Sequence, residues 1–311
     1  MTATGGSQCC AVSILVVGYN SAQLLECAIG SVSPAIKRHS YEVRFVNNGS
    51  DASEDMIRDR FPEVAIFPTR GNIGFGAANN YLAREAKGAR LLLLNPDTRL
   101  EPSAIDILLD AAEADRSFGI LGGLSISPAG EPLVMSRLEF PTLARILRGA
   151  IGKGGAPVLP PDAPGIFEVD AVSGAFMLID RDWWDRLGGF DERFFLYAEE
   201  LDLCLRLRQL GGKVGLVPAA RVMHDVGSGE ASTPARVLLS MRGSATFYRK
   251  HFSPAYAQAC LLAHWLSCAV RFVVGSLLGP FSARWARVGR SMRGVTLRPG
   301  SWYVGYSKRQ E

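Results

Sequence analysis

Short apolar runs alternate with helix-forming stretches through the first hundred residues of the chain. The runs at 12–17 and 91–94 are too short for a free-standing amphipathic helix, and they are typical of strands that are covered on both faces. Stretches of helical composition separate such runs, and the first of them spans residues 21–31. We therefore predict an α/β fold with a doubly wound, mostly parallel sheet.

Each of the first four predicted strands ends in a polar or glycine-rich loop. Parallel strands point the same way, so these loops meet at one edge of the sheet, where open α/β sheets bind ligands. Any one of these residues is more often an ordinary loop residue, but the coincidence at four strand ends favours a site. One nucleotide-sized pocket is the economical interpretation, and its predicted lining is Tyr19, Asn20, Asn47, Asn48, Asn72, Gly74 and Asp97.

The leucine run at 91–94 stops at Asn95-Pro96-Asp97. Pro96 cannot donate to a strand ladder and favours an extended Asn95, so Asp97 is presented at the carboxyl end of the strand. A carboxylate in that position can hold a hard divalent cation, Mg²⁺ or Mn²⁺, which in turn holds phosphate oxygens. The alternative is a simple turn that closes a buried strand.

The helix predicted over 198–210 begins with three acids, Glu199, Glu200 and Asp202. Acids at a helix N-terminus are favoured by the helix dipole, which explains them without any function. The segment that leads into this helix is rich in aromatic residues, however, and would take these carboxylates out of open water. Because desolvation raises the pKa of a carboxyl group, one of them can serve as a general base.

His224 ends a later predicted strand and is one of only four histidines. A lone histidine is more often structural than a ligand. One that ends a strand before Gly227-Ser228 can nevertheless complete a metal site or contact a diphosphate.

The overall composition is that of a globular protein, with 48% hydrophobic and 21% charged residues. Six cysteines without a CxxC pair favour free thiols in a reducing compartment. The N-terminus lacks a basic region followed by an apolar core, so we expect no secretory signal. Glycine and proline are frequent within 137–167, which we predict to be a long loop.

The C-terminal third combines the most apolar segment with the most basic one. His264 and Arg271 interrupt the apolar segment at 259–278, so a membrane span is not favoured. Residues 281–311 carry seven basic side chains and one acid. An in-plane helix with a basic tail on an anionic membrane fits this pattern, and a buried core helix with a solvated tail is the alternative. We expect no nucleic-acid partner, since aromatic interleaving is lacking.

A set of motifs occurs in a fixed order along the chain: VVGYNS, VNNGSD, GNIGFGAANN, LLLNPDT, VSGAFMLI, GGFDERFFLYAEELDLCLR and HDVGS. The set resembles the family 2 inverting glycosyltransferases of GT-A fold, within them the bacterial rhamnosyltransferase-type members, over roughly residues 12–250. The resemblance implies a Rossmann-like GT-A sheet with a C-terminal helical extension. The expected division is a disordered leader at 1–11, a transferase domain at 12–250 and a helical, basic, membrane-associating extension at 251–311.

The resemblance also implies roles for the donor-side residues. Asn20 and Asn47 would meet the nucleotide base, and the triplet Asn95-Pro96-Asp97 stands where the family's DxD motif binds metal and diphosphate. His224 would contact the metal or the diphosphate. Two departures from the family pattern matter: Asn47 stands where an aspartate is usual, although its amide oxygen can still accept a hydrogen bond, and Asp97 is the one acid that remains of the DxD pair.

On the acceptor side, the resemblance makes Glu200 the base that deprotonates the acceptor hydroxyl, with Glu199 as its neighbour or alternate. Asp202 and Arg206 look structural or orienting.

These observations predict a metal-dependent inverting glycosyltransferase that uses a nucleoside-diphosphate sugar, with dTDP-rhamnose as the candidate donor. We expect a saccharide or polyprenyl-linked acceptor, a role in cell-surface polysaccharide synthesis, and a cytoplasmic location on the inner face of the plasma membrane. The alternatives are a UDP-hexose transferase of the same fold and a catalytically silent sugar-binding or scaffold subunit. A dinucleotide-dependent oxidoreductase is disfavoured because GNIGFG has the spacing GxxGxG.

Overall fold

The computed structural model describes residues 10–150, 163–224 and 233–306. The chain divides into two compact units. The first consists of Met1–Glu139, Pro157–Asp191 and Glu200–Asp225, and the second of Phe140–Ala156, Glu192–Glu199 and Val226–Glu311. Residues 1–9 of the expected leader lie outside the described residues, whereas residues 10 and 11 already belong to the first strand.

The elements alternate as the sequence predicts. The strands are β1 (Cys10–Gly18), β2 (Tyr41–Asn47), β3 (Ala65–Phe67), β4 (Gly88–Leu94), β5 (Thr98–Leu100), β6 (Phe118–Ile126), β7 (Arg137–Leu138), β8 (Phe167–Glu168), β9 (Ala171–Val172), β10 (Phe176–Asp180) and β11 (Lys213–His224). The helices are α1 (Ala22–Gly30), α2 (Val32–Ala35), α3 (Ser53–Arg60), α4 (Phe75–Arg84), α5 (Ala104–Ala114), α6 (Leu143–Ala150), α7 (Arg181–Leu187), α8 (Glu199–Gln209), α9 (Pro234–His251), α10 (Pro254–Leu278) and α11 (Ala283–Leu297).

The large sheet of the first unit has the strand order β3-β2-β1-β4-β10-β6-β11-β5, and β8 also pairs with β11. The pairs β2–β3, β1–β2, β1–β4 and β6–β11 are parallel, which confirms the predicted mostly parallel sheet. β10 runs antiparallel between β4 and β6. Its first residues therefore lie at the edge where β4 ends.

The buried centre of the sheet explains the unbroken apolar runs. The leucines 91–94 of β4 are all buried, as a strand covered on both faces requires. On one face, Ile14 of β1 belongs to a core that includes Leu25 of α1 and Leu108 of α5. Each such side chain contributes about 1.5–3 kcal/mol by leaving water. This core fixes the sheet edge on which the polar loops lie.

The predicted long loop over 137–167 is wrong in part, because α6 (Leu143–Ala150) is a helix of eight residues. In LARILRGA the apolar side chains of Leu143, Ile146 and Leu147 recur at intervals of three and four, which favours a helix. The Arg145 guanidinium also donates to the Phe140 carbonyl at 3.1 Å. The glycine- and proline-rich stretch at 151–162, which dominated the prediction, lies outside the described residues.

The C-terminal helices of the second unit pack closely against one another. α10 and α11 approach so tightly that a Cβ on Gly275 would lie 2.4 Å from the Gly289 nitrogen, which requires glycine there. The indole of Trp265 donates to the Thr296 carbonyl at 3.0 Å and so joins the same two helices. Among the described residues, Pro254–Phe281 is the one helix whose length and composition would suffice to cross a membrane.

Candidate active site

The loops that follow β1, β2 and β3 are tied together at the carboxyl edge of the sheet. The Asn48 backbone N–H donates to the Gly18 carbonyl at 2.7 Å, and its side chain donates to the Gly74 carbonyl at 3.0 Å. The Thr69 hydroxyl donates to the Asn47 carbonyl at 2.5 Å. The structure thus brings together the predicted loop residues of three strand ends, while the Tyr19 ring is exposed beside them.

The loop after β2 is held by its own side chains. The Asn47 side chain donates to the Asp51 carboxylate at 3.1 Å and accepts from the Gly49 N–H at 2.8 Å. A Cβ on Gly49 would lie 2.6 Å from the Asn20 nitrogen, so only glycine permits this close approach. Asn47 is buried, and its predicted contact with the nucleotide base stays a prediction.

The Asp51 side chain caps α1, since its carboxylate accepts from the Ala22 N–H at 2.9 Å. Ser21 occupies the N-cap position but makes no side-chain cap bond. Burial alone would raise the pKa of Asp51, but the hydrogen bonds from Ser53, Ala22 and Asn47 outweigh it and lower the pKa below its ordinary value.

Asn72 and Gly74 shape the start of α4. The Asn72 side-chain oxygen accepts from the Gly74 N–H at 3.2 Å. Gly74 has φ +89°, a conformation that L side chains rarely adopt, and it is the N-cap residue of α4. The free N–H groups of a helix N-terminus attract anions, and they face the same edge as the loops of Asn47 and Asn48.

Asp97 and His224 meet because β5 pairs with the end of β11. In this pairing Thr98 lies opposite His224, and the His224 Nε2 lies 3.2 Å from Oδ1 of Asp97. The Thr98 hydroxyl donates to the Asn95 carbonyl at 2.6 Å and fixes the turn between β4 and β5. Residue 225 and the rest of the HDVGS motif lie outside the described residues.

The Asp97–His224 pair has side chains of the kind expected for metal ligands. Oδ1 of Asp97 faces Nε2 of His224, whereas Nδ1, on the other side of the imidazole ring, is buried without a hydrogen-bond partner within the described ranges. A divalent cation held by both side chains would therefore bind at the facing atoms, Oδ1 and Nε2. A carboxylate and an imidazole together are ordinary ligands of a divalent cation. Residues 10–150, 163–224 and 233–306 contain no group of three or more such side chains, so the diphosphate and water would supply the remaining ligands.

Glu200 reaches this edge through the antiparallel strand β10. The Asn95 N–H donates to the Ala175 carbonyl at 3.0 Å, which continues the β4–β10 pairing into the turn. One residue earlier, the Gly174 backbone donates to the Glu200 carboxylate. A Cβ on Gly174 would lie 3.3 Å from Cγ of Glu200 and 3.1 Å from the Phe75 ring. Gly174 is therefore a site residue that sequence reasoning missed.

The environment of Glu200 favours a proton acceptor. Desolvation raises its pKa above the ordinary value, and the backbone hydrogen bonds, of which one comes from Gly174, offset this only in part. A carboxylate with a raised pKa is a stronger base. Of the aromatic residues predicted to desolvate the acids, Phe190 is buried and packs against the Phe75 ring, with ring centroids 5.9 Å apart, and Phe75 lies beside Gly174.

Glu199 is described with the second unit, where it is buried. Burial raises the pKa of the Tyr306 phenol, and the negative charge of Glu199 raises it further. The two residues before Glu199, Tyr197 and Ala198, have φ of +69° and +71°. Such a conformation costs on the order of 1–3 kcal/mol per non-glycine residue and is often found at functional sites.

The strained turn is supported from two sides within the second unit. The Tyr306 hydroxyl donates to the Leu196 carbonyl at 2.6 Å. On α9, a Cβ on Gly243 would lie 2.3 Å from the Tyr197 carbonyl oxygen, so glycine is needed for this close approach. Glycine in a helix interior could have signalled Gly243, whereas no sequence signal distinguishes Tyr306.

Asp202 and Arg206 have the structural role that the resemblance implies. Asp202 is fully buried and pairs with Arg206 at 2.8 Å. The same guanidinium donates to the carbonyls of Leu187 and Gly189 at 2.7 and 2.8 Å. The pair thereby fastens α8 to the turn that follows α7.

A cavity of about 480 Å³ lies at the other end of β4, beside Arg90 and Asp180. Arg90 is 3.6 Å from Glu113 and 4.0 Å from Asp180. The charges of these three residues are thus paired with one another.

Comparison with known proteins agrees with this geometry. Residues 10–244 match the sequence model of a family described as glycosyltransferase like family 2. An N-acetylglucosaminyl-diphospho-decaprenol L-rhamnosyltransferase of Mycobacterium tuberculosis is 30% identical over 258 residues, which cover 76% of this chain and 82% of the relative. The rhamnosyltransferase WbbL of Escherichia coli K12 is 30% identical over 163 residues, which cover 50% and 61% of the two chains.

A solved structure shares the fold. A mannosyltransferase of Pyrobaculum calidifontis, in complex with GDP-Man and Mn²⁺, superposes with a TM-score of 0.56 at 17% identity. The likeness covers 95% of this chain and 85% of the other. It confirms the predicted GT-A fold.

Proposed function

Because the chain belongs to glycosyltransferase family 2 and is a glycosyltransferase, we propose that Glu200 and the Asp97–His224 pair form its reaction centre. One observation carries this proposal. The hydrogen bond between Asn95 and Ala175 joins the turn that holds Asp97 to the loop that holds the Glu200 carboxylate. The carboxylate proposed as the base, Glu200, and the carboxylate proposed for the leaving-group side, Asp97, are thus linked through the neighbouring strands β10 and β4.

The proposed reaction is a single displacement at the anomeric carbon. The acceptor hydroxyl gives its proton to Glu200 as its oxygen bonds to the anomeric carbon, and the bond from that carbon to the diphosphate oxygen breaks. Attack opposite the leaving group inverts the anomeric centre, and no covalent intermediate on the protein is needed. The raised pKa of Glu200 suits this proton transfer.

On the donor side, we assign the nucleoside to the linked loops after β1, β2 and β3, with Tyr19, Asn20, Asn47 and Asn48. Asn72 and Gly74, at the N-terminus of α4, are placed near the diphosphate. Asp97 and His224 would hold Mg²⁺ or Mn²⁺. When bound, such an ion neutralises the charge that develops on the leaving diphosphate.

For the substrates, we propose dTDP-rhamnose as the donor and a polyprenyl-diphosphate-linked saccharide as the acceptor, in cell-surface polysaccharide synthesis. The name of the M. tuberculosis relative, with its L-rhamnosyl product and diphospho-decaprenol acceptor, supports this choice. A lipid-linked acceptor places the enzyme at the cytoplasmic face of the plasma membrane, as a peripheral protein. We assign the transfer to residues 12–250 and the membrane contact to the extension at 251–311.

A donor panel tests the proposal. Thermal stabilisation and donor hydrolysis are measured with dTDP-rhamnose, UDP-glucose, UDP-galactose, UDP-GlcNAc and GDP-mannose, each with and without Mn²⁺. The proteins are wild type, Asp97→Ala and the control Glu131→Gln, which changes an exposed carboxylate of the same unit. We expect metal-dependent stabilisation by dTDP-rhamnose that is lost in Asp97→Ala alone. A response to a UDP-hexose would replace the donor assignment, and no response to any donor would favour the silent-subunit alternative.

A further inference from the structure

One face of α10 exposes a continuous row of apolar side chains, which we call the apolar stripe. Its members are Leu262, Leu266, Val270, Val273 and Leu277, each between 47% and 68% exposed. At about 100° per residue, these five positions fall within a sector of about 80° on the helix. A contiguous exposed apolar surface of this kind marks a docking site for a partner or a membrane.

The polar residues that interrupt the apolar segment in sequence lie on the opposite side of the helix. Nδ1 of His264 lies 3.2 Å from the Tyr248 hydroxyl, and burial lowers the pKa of this histidine to about 4. The Arg271 guanidinium donates to the Gly149 carbonyl at 2.9 Å. His264 therefore stays uncharged near neutral pH, and neither residue breaks the apolar stripe.

The side of α10 opposite the stripe is packed against protein. Cys260, Leu261, Cys268 and Gly275 are buried there. A helix with one lipid-facing side and a side buried in protein fits contact with the surface of a bilayer better than a span surrounded by lipid. The geometry thus supports the in-plane expectation over the span that length and composition alone would allow.

Positive charge lies directly beside the stripe. A groove of about 420 Å³ between α10 and α11 is lined by Arg290 and Arg293 of α11 together with Phe272 and Ser276 of α10. On the helix, Ser276 lies about 40° from the nearest edge of the stripe. Residues 254–306 contain six arginines and neither Asp nor Glu, so no acid of this segment neutralises the groove.

We propose that the apolar stripe and this groove together bind an anionic phospholipid bilayer. The stripe enters the boundary between headgroups and acyl chains, and Arg290 and Arg293 bind lipid phosphates. Charge complementarity selects this occupant. If a second copy docked through the same face, its arginines would lie near those of the first, since a twofold contact uses the same patch on both subunits. The proposal rests on the membrane contact proposed above for residues 251–311, and it does not depend on which sugar the enzyme transfers.

Co-sedimentation of the full chain with vesicles tests this surface. One set of vesicles is pure phosphatidylcholine, and the other contains 30% phosphatidylglycerol. Two double variants probe the two parts of the surface, Leu266→Gln/Val273→Gln in the stripe and Arg290→Gln/Arg293→Gln in the groove. Matched controls change exposed residues elsewhere: Leu24→Gln/Val134→Gln and Arg58→Gln/Arg116→Gln.

We expect the wild type to bind the anionic vesicles, and to bind them less as salt is raised. Loss of both arginines should lower partitioning on the order of tenfold to thirtyfold, since each arginine near an anionic surface raises partitioning by roughly threefold to fivefold. The stripe pair should lower it by roughly tenfold. The control pairs should match the wild type, and unchanged thermal unfolding of all variants would show that the fold is intact.

Three results would overturn the proposal. The first is equal binding to neutral and anionic vesicles, or binding to neither. The second is a self-association in sedimentation velocity that the stripe variant abolishes. The third is binding that appears only when polyprenyl phosphate is added to the vesicles, which would assign the groove to the acceptor lipid. Transfer to a water-soluble acceptor analogue should be unchanged in every variant, so failure of this surface is distinguishable from failure of the proposed activity.

Discussion

Asn47 and Asp51, in the loop after β2, and Asp97 and His224, beside the turn after β4, lie at the same edge of the sheet but differ in the partners of their side chains. In the first, Asn47 and Asp51 satisfy one another and their neighbours. In the second, Asp97 and His224 contact each other, and Nδ1 of His224 is buried without a hydrogen-bond partner among the described residues. The difference agrees with the proposal that the first pair builds the pocket and the second pair holds a ligand.

The largest effect is expected at Glu200, the acid next to the second of these regions. Glu200→Gln keeps the shape and removes the base, so kcat should fall by roughly 10²–10⁴-fold. The acidic limb of the wild-type pH–rate profile should lie above the ordinary glutamate pKa, because desolvation raises the pKa of Glu200. Activity should therefore rise with pH through that raised value.

Glu199→Gln is the matched comparison for this experiment. Glu199 is buried in the second unit, so its substitution should change the unfolding temperature and leave the acidic limb of the profile in place. An acidic limb that disappears in Glu199→Gln instead would transfer the role of base to the neighbouring acid.

The next largest effect on activity is expected at the Asp97–His224 pair. Asp97→Asn should reduce transfer on the order of 10²–10³-fold, as loss of a group that stabilises developing charge commonly does. It should also abolish the thermal stabilisation by Mn²⁺ with donor. Asp110→Asn, a partly exposed carboxylate that pairs with Arg38, is the control. If both variants behaved alike, the Asp97 carboxylate would have no special role.

In the loop after β2, a substitution should change the stability of the fold and not the metal dependence of the enzyme. Asp51→Asn weakens bonds to Ala22 and Ser53, and we expect a loss of about 2 kcal/mol in the free energy of unfolding. Because the folded pKa of Asp51 is lowered, its contribution is present above the unfolded pKa and is lost as pH falls through the folded value. Urea titrations at several pH values check both points.

Asp55→Asn is the control, because this exposed carboxylate pairs with Arg58 alone on the surface of α3. Its effect should stay within about 0.5 kcal/mol. A metal-dependent phenotype in Asp51→Asn would break the distinction between the two loops.

The smallest effect is expected at the turn that leads into α8. Tyr306→Phe removes the hydrogen bond to the Leu196 carbonyl and should cost about 1 kcal/mol of stability. Tyr303→Phe, in which the lost hydroxyl is more exposed, should cost less. Equal losses would mean that the Tyr306 contact does not support the strained residues Tyr197 and Ala198.

Sequence reasoning predicted the sheet well because its signals are local. Four consecutive leucines, ended by Pro96, indicate a buried strand and its carboxyl end without reference to any other part of the chain. The first strand, whose apolar run ends at residue 17, ends at Gly18 for the same reason.

The remaining features depend on contacts between distant residues. Adjacent helix positions differ in direction by about 100°, so the pattern could not decide whether Glu199 or Glu200 faces Gly174. The role of Gly174 follows from an antiparallel pairing with β4, some 80 residues earlier, which no local signal reports. For the same reason the sequence could not show that His264 and Arg271 turn away from the apolar stripe.

The position of β10 in the sheet has a consequence for how the protein is made. During synthesis β4 and Asp97 emerge long before β10, so the open side of β4 has no partner until residue 180 has left the ribosome. An exposed apolar strand edge is a template for pairing with other chains. A chain that is truncated before residue 170 should therefore aggregate, and the proposed site, which includes His224 at the end of β11, can form only after residue 224 has left the ribosome.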